Sequence, residues 1–465
     1  MKKNKAFRIE HDSLGEVKVP KKALWGAQTQ RAIENFPISG IKFRFPFGRS
    51  FIRALGAIKH SAAVANQDLG ILTIKKSNAI KSAAKMVMVG EVDDHFPLDV
   101  FQTGSGTSTN MNANEVIANI ATKKLGAGVH PNDDVNMSQS SNDTIPTAIC
   151  LSTLYDMDEY LLPGLDLLIS EIGKKAKSLQ GTIKTGRTHL MDAMPIDFSQ
   201  ELSGWSAQLK SCKTSLINAN QRMLQLPQGG TAIGTGVNSH RNFPKAFCQA
   251  LEKTSGFKVK PATNFFQGLS SQDNSAELSS ALKNLALVLM KISNDLRWMN
   301  SGPLTGLSDI ELEALQPGSS IMPGKVNPVM PEAVSMACAD VIGNDLTVSI
   351  AVQSGSFQLN VMLPVIAYNL LKSINLLSGA MDVLSKKAIK TFKVNNKNLE
   401  ISLSKNPILV TALNPIIGYE KAAAIAKKAY KENRPIIEVA AEETKLSKSK
   451  LSKLLDPTKL AKGGM

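Results

Sequence analysis

The stretch LSSALKNLALVLMKISNDL, residues 278–296, places Leu or Ile at successive intervals of four, three, four, three and four residues. This spacing keeps one apolar seam along an α-helix and suits helices that pack at shallow crossing angles. The residues between the seam positions are also largely apolar, so such a helix must be buried on more than one side. We therefore expect it in a bundle interior or at a subunit interface, with an ordinary amphipathic helix of a monomer as the alternative.

Two further series extend this pattern along the chain. One repeats the 4-3 spacing and the other is less regular; together they comprise Leu370, Ile374, Leu377, Met381 and Leu384, and then Leu154, Leu161, Leu165, Leu168 and Ile172. Aromatic residues make up only 5% of the composition, whereas Ala, Leu, Ile and Met are plentiful. Since strands draw on aromatic and β-branched residues, the sequence predicts an all-α fold.

The pattern changes twice along the chain, which indicates three regions. Residues 1–140 alternate short apolar runs with Gly-containing loops and predict a mixed, mostly helical domain, with a helix over 51–69. Residues 141–395 hold the long apolar series and predict a central helical-bundle domain. In residues 396–465, Asn-Pro pairs separate shorter helical patterns, so we expect a small helical C-terminal domain there.

The bulk composition limits the classes of function. A net charge of +15 would suit attraction of a small acid or of nucleic acid, but a surface coated with lysine is the favoured explanation. Much of the excess lies in the last 80 residues without interleaved aromatics, which disfavours single-strand binding. No run approaches 18 apolar residues, and the four cysteines lack CxxC spacing. We expect a cytoplasmic protein with no membrane span, disulfide framework or nucleic-acid partner.

The segment GSSIMPGKVNP, residues 318–328, is the most informative for chemistry. Its Gly, Pro, Ser and Asn residues predict a loop, which offers hydroxyls, one lysine and one asparagine before an apolar helical segment. Backbone amides at a helix start favour anions, and long loops often close over a substrate. Composition alone predicts an anion-binding loop, with a plain surface loop as the alternative.

Two other loops are rich in glycine. Residues 102–110, QTGSGTSTN, combine backbone amides with hydroxyl donors that could bind an oxyanion, but they lack the Gly-Lys-Ser/Thr ending of a phosphate-binding loop. Residues 228–238, QGGTAIGTGVN, follow no strand-like run, which disfavours a dinucleotide site. Each is a weak indication by itself.

Polar residues also cluster at 130–143, HPNDDVNMSQSSND, which reads as an Asx-rich turn before a helix. His130 with Asp133 and Asp134 could bind a metal, but one His beside two adjacent acids gives poor convergence, so we expect none. Ser140, Ser141 and Asn142 suit neutral donors to a carboxylate. Farther on, GRTHL at 186–190 contains a lone histidine, which by itself is more often structural than catalytic.

Together these segments resemble the fumarase/aspartase superfamily, and within it the class II fumarases. GSSIMPGKVNP is similar to the superfamily's characteristic loop, and the segments TGSGT, HPNDDVNMSQSSND and GRTHL follow in its order and spacing. LWGAQTQRAIENFPISG and TALNPIIGYEKAAAIAKKA add similarity near the two ends. The resemblance implies an all-α fold of three domains with a central five-helix bundle. It also implies a homotetramer with a 20-helix core, active sites shared by three subunits, and no cofactor or metal.

The resemblance also implies roles for individual residues. Ser319 would be the base that removes a C3 proton of L-malate to give an aci-carboxylate, while Lys325 and Asn327 hold carboxylate oxygens. His189 would assist proton transfer to the departing hydroxyl, oriented by Glu332. A further set would donate hydrogen bonds to the substrate: Ser105, Thr107, Ser140, Ser141, Asn142 and Thr188.

Alternatives within the superfamily rest on a few positions. His189 and Ser141 are typical of fumarases, which interconvert fumarate and L-malate in the tricarboxylic acid cycle, whereas QLNVM at 358–362 is more like an aspartate ammonia-lyase. A non-catalytic relative is disfavoured because the proposed base, lysine, asparagine and His–Glu pair are all present. Leu304 stands where an arginine is common, which puts an anchor beside the loop in doubt.

Fumarases can bind a second dicarboxylate at a peripheral site. His130, Asn132 and Asp133 match that site in part, but the basic residues often found before it are missing. We predict that this second site is weak or absent.

Overall fold

A computed structural model describes residues 6–463 of the chain. An antiparallel hairpin of β1 (Phe7–Asp12) and β2 (Gly15–Pro20) precedes the first helices. These are α1 (Ala27–Asn35), α2 (Arg49–Asp68), α3 (Ile74–Val89) and α4 (Thr107–Leu125). Helix α2 confirms the helix expected over 51–69, whereas the hairpin was not anticipated.

Long helices dominate the middle of the chain. They are α5 (Ser141–Asp156), α6 (Leu162–Ser178), α7 (Phe198–Arg222), α10 (Asp273–Met299), α11 (Val329–Gln353) and α12 (Leu363–Leu384), with the shorter α8 (Phe243–Ser255) and α9 (Phe265–Ser270) between them. Between α6 and α7 the chain forms a second antiparallel hairpin, β3 (Ile183–Thr188) and β4 (Met191–Asp197). The all-α prediction is confirmed in its main feature, with small sheets added.

The remaining strands are two residues long and join distant parts of the chain: β5 (Gln225–Leu226) pairs with β6 (Lys260–Pro261), and β7 (Ile310–Glu311) pairs with β8 (Lys393–Val394). The C-terminal helices are α13 (Asn396–Lys405), α14 (Asn414–Ile417), α15 (Tyr419–Glu432), α16 (Ile436–Glu443), α17 (Lys448–Leu454) and α18 (Pro457–Leu460). Asn406-Pro407 and Asn414-Pro415 start new segments, as the sequence predicted. These helices enclose a core of their own that includes Leu413, Val439 and Leu451.

The described residues form two compact units. The first comprises the chain through Pro163, Cys212–Ala286 and Ala337–Ser378. The second comprises Gly164–Ser211, Leu287–Met336 and the chain from Gly379 onward. The three-domain division at residues 140 and 395 stays a prediction.

Five long helices meet in the first unit through side-chain hydrogen bonds. Ser279 of α10 donates to Asp345 of α11 at 2.8 Å, and Asn344 of α11 donates to Ser373 of α12 at 3.2 Å. Asn375 of α12 donates to Asp156 of α5 at 3.0 Å. Helix α7 joins α10, where Asn284 contacts the Cys212 sulfur at 3.6 Å. These contacts are those of a central five-helix bundle.

The apolar series read from the sequence form the core of these helices. The members of all three series are buried, from Leu154 to Leu384. On the other faces of these helices, several large apolar side chains are exposed in a single chain: Leu287, Trp298, Met336, Leu346 and Ile350. The chain by itself therefore buries one side of these helices and leaves an apolar side uncovered.

Helix α11 stands out for its apolar character. Among the described residues it is the one helix long and apolar enough to cross a membrane by length and composition. Its Asn344 and Asp345 nevertheless pair with neighbouring bundle helices. A search for uninterrupted apolar runs does not find this helix, because polar residues such as Asn344 and Asp345 interrupt its sequence.

Candidate active site

The loop before α4 presents hydroxyls and amides together. Ser105 Oγ and Thr107 Oγ1 lie 2.9 Å apart, and Thr103 hydrogen-bonds Ser108 across the turn. Gly106 caps α4 with φ of 71°, a left-handed conformation that favours glycine. The loop thus places two hydroxyls at a helix N-terminus, where partial positive charge favours an anion.

Gly104 is the point at which this loop meets the 358–362 segment. A Cβ on Gly104 would lie 1.8 Å from the carbonyl oxygen of Val361, so a larger residue cannot fit there. Leu363 donates its backbone N–H to Gly104 at 2.9 Å, and the buried Asn360 amide accepts from the Met362 N–H at 2.8 Å. The 358–362 segment therefore packs against the 102–110 loop and supports it. Gln358 itself is exposed.

Helix α5 begins with a capping box, which fixes the segment Ser140–Asp143. Ser140 accepts from the Asn142 N–H at 3.2 Å, and its own N–H donates to Asp143 at 2.9 Å. Asn142 is turned toward the next loop, where its Nδ2 donates to the Ala232 carbonyl at 2.7 Å. Such caps stabilise a helix start by about 1 kcal/mol and hold the hydroxyl of Ser141 at a fixed place.

Asp143 also organises the Gly-rich loop at 228–238. Its fully buried carboxylate accepts the backbone N–H groups of Gly229 and Thr231, both at 2.9 Å. Burial raises the pKa of Asp143 to about 6, although these N–H groups and the charge of Lys59 oppose the rise. The loop is held by a carboxylate and packs within the first unit, an arrangement unlike a dinucleotide site.

His130 lies at the start of a π-helical turn, Pro131–Val135. Its Nδ1 accepts the Asp133 N–H at 3.1 Å, while Asp134 binds Lys76 through both oxygens at 2.8 Å. Asn132 and Asp133 are exposed beside it. Within residues 6–463 no group of three or more His, Cys, Asp or Glu side chains converges as a metal site would require.

In the second unit, His189 occupies the tip of the β3–β4 hairpin. Thr188 pairs with Met191, and the two residues between them, His189 and Leu190, have φ of 54° and 61°. Two successive left-handed residues form the tight turn that suits hairpins, although Asn-Gly is its usual sequence. A histidine and a leucine here cost free energy, which marks the tip as a functional candidate.

Strand β3 of this hairpin is anchored by a buried ion cluster. Arg187 donates to both oxygens of Asp309, at 2.7 and 3.1 Å, and Lys184 lies 3.0 Å from the same carboxylate. Lys184 also donates to Glu201 at 2.9 Å. Because Arg187 immediately precedes Thr188, the cluster fixes the direction in which the tip projects.

The loop at 318–328 surrounds Ser319 with backbone donors. Ser319 Oγ accepts the N–H groups of Met322 at 2.9 Å and Ile321 at 3.2 Å. Gly318 closes the loop by donating its N–H to the Lys325 carbonyl at 2.8 Å, and a Cβ there would clash at 2.3 Å. Two N–H groups aimed at one oxygen stabilise negative charge on it, so Ser319 is placed to become an alkoxide.

Lys325 and Asn327 are paired in the same loop. Lys325 Nζ donates to Asn327 Oδ1 at 2.8 Å, and Asn327 Nδ2 donates to the Gly318 carbonyl at 2.7 Å. A cleft of about 1180 Å³ runs beside them, lined also by Arg297 and Trp298. The loop is largely exposed, and its lysine lies at the mouth of a space large enough for a small acid.

Glu332 lies in the first turn of α11, four residues after the loop. Among the described residues, no hydrogen bond joins Glu332 to His189, although both belong to the second unit. The predicted residues thus form two groups. The first unit holds Ser105, Thr107, His130, Asn132, Asp133, Ser140, Ser141 and Asn142, and the second holds Thr188, His189, Ser319, Lys325, Asn327 and Glu332.

Several supporting residues were not singled out from the sequence. Lys59 and Asn110 lie buried beneath Ser141, and Asp309 lies beneath the His189 hairpin. A lysine inside the apolar helical run at 51–69 was the one available indication for Lys59. Asp309 stands alone in an irregular segment, where no spacing distinguishes it.

Comparisons with known proteins agree with this arrangement. A lyase family profile matches residues 15–343, and a profile for the fumarase C C-terminus matches residues 409–462. A class II fumarate hydratase of Xylella fastidiosa is 55% identical, covering 100% of this chain and 98% of that protein; one from Pseudomonas aeruginosa is 54% identical, with 98% and 99% covered. The crystal structure of class II fumarase from Schistosoma mansoni superposes with a TM-score of 0.94 at 37% identity, covering 98% and 99%.

Long bundled helices and a Ser-Lys-Asn loop at the head of one of them define a helical lyase. Sequence identity of 54–55% over almost the full chain shows which family of helical lyases this is. The chain belongs to the class II fumarate hydratase family.

Proposed function

We propose that this protein catalyses the reversible hydration of fumarate to L-malate. The observation that carries the proposal is Ser319 Oγ with two backbone N–H donors, in a loop that also holds Lys325 and Asn327. The names of the full-length relatives support the choice of substrate. A serine hydroxyl is a poor base, so an alkoxide stabiliser is the feature that this reaction most needs.

The proposed reaction uses two proton transfers. In the malate direction, the Ser319 alkoxide removes a proton from C3, and the electron pair spreads into the adjacent carboxylate as an aci-carboxylate dianion. The C2–O bond then breaks, the hydroxyl takes a proton through His189, and fumarate and water are formed. Lys325 and Asn327 stabilise the extra charge, and each such donor contributes about 3–4 kcal/mol.

The second carboxylate of the substrate would be held by the first unit's donors. Ser105 and Thr107 at the α4 N-terminus, with Ser141 and Asn142 at the α5 N-terminus, provide hydroxyl and amide donors beside two helix dipoles. Thr188 would add a donor next to His189. Neutral donors suit this role because they bind a carboxylate without lowering its charge by proton transfer.

We further propose that four copies assemble and that each site is shared between copies. His189 is exposed at a hairpin tip flanked by Leu190 and Met191, which are 58% and 69% exposed. Its predicted partner Glu332 is not bonded to it in one chain. An apolar face on α11, with Met336, Leu346 and Ile350, also needs cover. A second copy would supply both the cover and the missing partner.

An ultraviolet assay tests the reaction. Purified protein with excess chelator is offered L-malate and L-aspartate separately, while the conjugated absorbance of fumarate is followed. Fumarate from malate alone is the expected result, because the proposed steps use side chains only. Fumarate from aspartate alone would make the protein an ammonia-lyase, as QLNVM at 358–362 suggested, and no product from either would refute both assignments.

Shared sites are tested by mixing two inactive variants. Ser319→Ala and His189→Asn are each expected to lose most turnover while keeping the wild-type oligomeric mass. Unfolded together and refolded as hybrids, they should regain a fraction of activity, because some sites would then combine an intact Ser319 with an intact His189. If the refolded hybrids have the wild-type mass but remain inactive, the proposal that each active site combines residues from several copies would be contradicted.

A further inference from the structure

Lys59, in the middle of α2, is a fully buried lysine in the first unit. Its Nζ donates to Asn136 Oδ1 at 2.9 Å and to Gln139 Oε1 at 3.1 Å. No carboxylate of the described residues forms an ion pair with it, and Asp143 acts on it only as a nearby charge. A buried lysine bonded to two neutral amides is unusual, because buried cations normally pair with an anion.

Lysine has no acceptor in its charged form, so both amides must turn their oxygens toward it. The opposite ends of the amides are fixed as well, since Asn136 Nδ2 donates to the Gln139 carbonyl and Gln139 Nε2 to the Val135 carbonyl, each at 3.1 Å. Burial lowers the pKa of Lys59 to about 7. A neutral amine still supplies two hydrogens, so the direction of these bonds is kept in either protonation state.

The orientation of the Asn136 amide determines the orientation of the Asn110 amide on α4. Asn136 Oδ1 also accepts from Asn110 Nδ2 at 3.2 Å, so Asn110 must present its NH₂ group rather than its oxygen. The second hydrogen of that NH₂ group goes to Ser141 Oγ at 2.9 Å. Ser141 is thereby an acceptor toward the interior, and its single hydroxyl hydrogen is left to donate outward.

We propose that Lys59 is a positioning residue that, through Asn136 and Asn110, fixes Ser141 as a hydrogen-bond donor to the substrate carboxylate. This inference rests on the proposed function, which makes Ser141 a substrate ligand. Without Lys59, no cation requires an acceptor from Asn136, which is then held only by the Gln139 carbonyl and by the amides of Asn110 and Asn114. A reversed Asn136 amide would present its NH₂ group to Asn110, and Asn110 can then turn its oxygen toward Ser141. Ser141 would then donate its hydroxyl hydrogen to Asn110 and could not donate it to the substrate, because one hydroxyl has a single hydrogen.

A double-mutant cycle separates this role from a purely structural one. Lys59→Met keeps the length of the side chain and removes its hydrogens, and Ser141→Ala removes the final donor. Each is expected to lower kcat/KM for malate about 10–100-fold, the usual loss for a bond to a charged group. The combined variant should fall within about twofold of Ser141→Ala alone, since Lys59 acts through Ser141.

Asn66 offers a matched control on the same helix. It is buried and donates to the Met137 carbonyl at 3.0 Å, so it anchors the same segment from outside the amide chain. The loss of kcat/KM in the combined Asn66→Ala and Ser141→Ala variant should equal the product of the two single losses. If Lys59→Met does not fold, Asn110→Asp serves instead, because its two acceptor oxygens would take the Ser141 hydrogen and reproduce the Ser141→Ala loss.

Calorimetric binding of succinate, a non-reacting dicarboxylate, supplies a readout independent of turnover. Non-additive losses of both kcat/KM and succinate affinity would support the proposal. Independent, multiplied losses for Lys59→Met and Ser141→Ala would overturn it, as would normal kinetics for Lys59→Met. Wild-type protein that binds succinate without converting malate would refute the proposed function alone, and the cycle would then be judged on succinate dissociation constants.

Discussion

The guanidinium of Arg187 donates two hydrogen bonds to the buried carboxylate of Asp309, at 2.7 and 3.1 Å. This pair ties an irregular segment of the second unit to the strand that ends at Thr188. It therefore holds the strained turn of His189 and Leu190 in place at the tip of the hairpin.

Asp309→Asn should destabilise the protein and slow it. Removing one partner of a buried ion pair leaves Arg187 and Lys184 poorly compensated, which costs about 3–5 kcal/mol. Denaturant unfolding at fixed protein concentration measures this loss of stability. A lower kcat would show that the turn at His189 is held less firmly. Glu201→Gln is the control, because Lys184 then keeps Asp309 and the loss should be smaller; equal effects of both variants would contradict the role of Asp309.

Ser319→Ala should abolish conversion of malate while leaving the oligomeric mass unchanged, because it removes the base and no buried contact. The neighbouring Ser320 is exposed and offers a control of the same chemistry. Ser320→Ala is expected to keep turnover within about threefold, since it deletes an exposed hydroxyl that makes no hydrogen bond within the described residues. Near-normal activity of Ser319→Ala would refute the base assignment.

Asp156 should give the stability a pH dependence. Its carboxylate is buried between α2 and α12, where it accepts from Ser50 and Asn375, and burial raises its pKa from 3.8 to about 6. A raised pKa means that the folded state favours the protonated acid. The stabilising contribution is full below pH 3.8 and is lost as the pH rises through about 6.

Asp156→Asn mimics the protonated acid, so it should stabilise the protein relative to wild type at pH 8 by up to about 3 kcal/mol and change little at pH 4. Urea unfolding at the two pH values, at one protein concentration, measures the difference. Asp158→Asn, an exposed site two residues away, should show no such change. A stabilisation that does not depend on pH would contradict the assignment to ionisation.

The peripheral site at His130 should bind a second dicarboxylate weakly or not at all. Its Nδ1 already accepts from Asp133, and Arg8, which lines the same cleft, is held by Glu10 and by the Ala23 and Trp25 carbonyls. Crystals soaked in malate should therefore show partial occupancy at most, and His130→Ala should keep kcat/KM within about twofold. Full occupancy at His130 would disprove this prediction.

The sequence predicts the bundle because its information is periodic. Residues such as Leu278 and Leu289 repeat at helical spacing, and every member of the series is buried. The 318–328 loop and the Ser140–Asp143 cap were equally readable, since turn and capping residues have local preferences. The β3–β4 hairpin was missed because its turn is His189-Leu190 instead of Asn-Gly, so no local preference marks it.

Supporting residues escaped prediction for a different reason. Lys59 and Asp309 act through partners far away in sequence, at Asn136 and Arg187, and one sequence does not reveal such pairs. The exposed side of α11 is a further example. Its apolar residues indicated burial, but one sequence does not reveal which surface covers them.

Proton NMR of fumarate in deuterium oxide, with the purified protein and chelator, tests the role of Ser319 most directly. We expect L-malate with one deuterium at C3, delivered by Ser319, and no incorporation with Ser319→Ala. Fumarate that stays unchanged, or malate formed equally well by Ser319→Ala, would refute the assignment of Ser319 as the base.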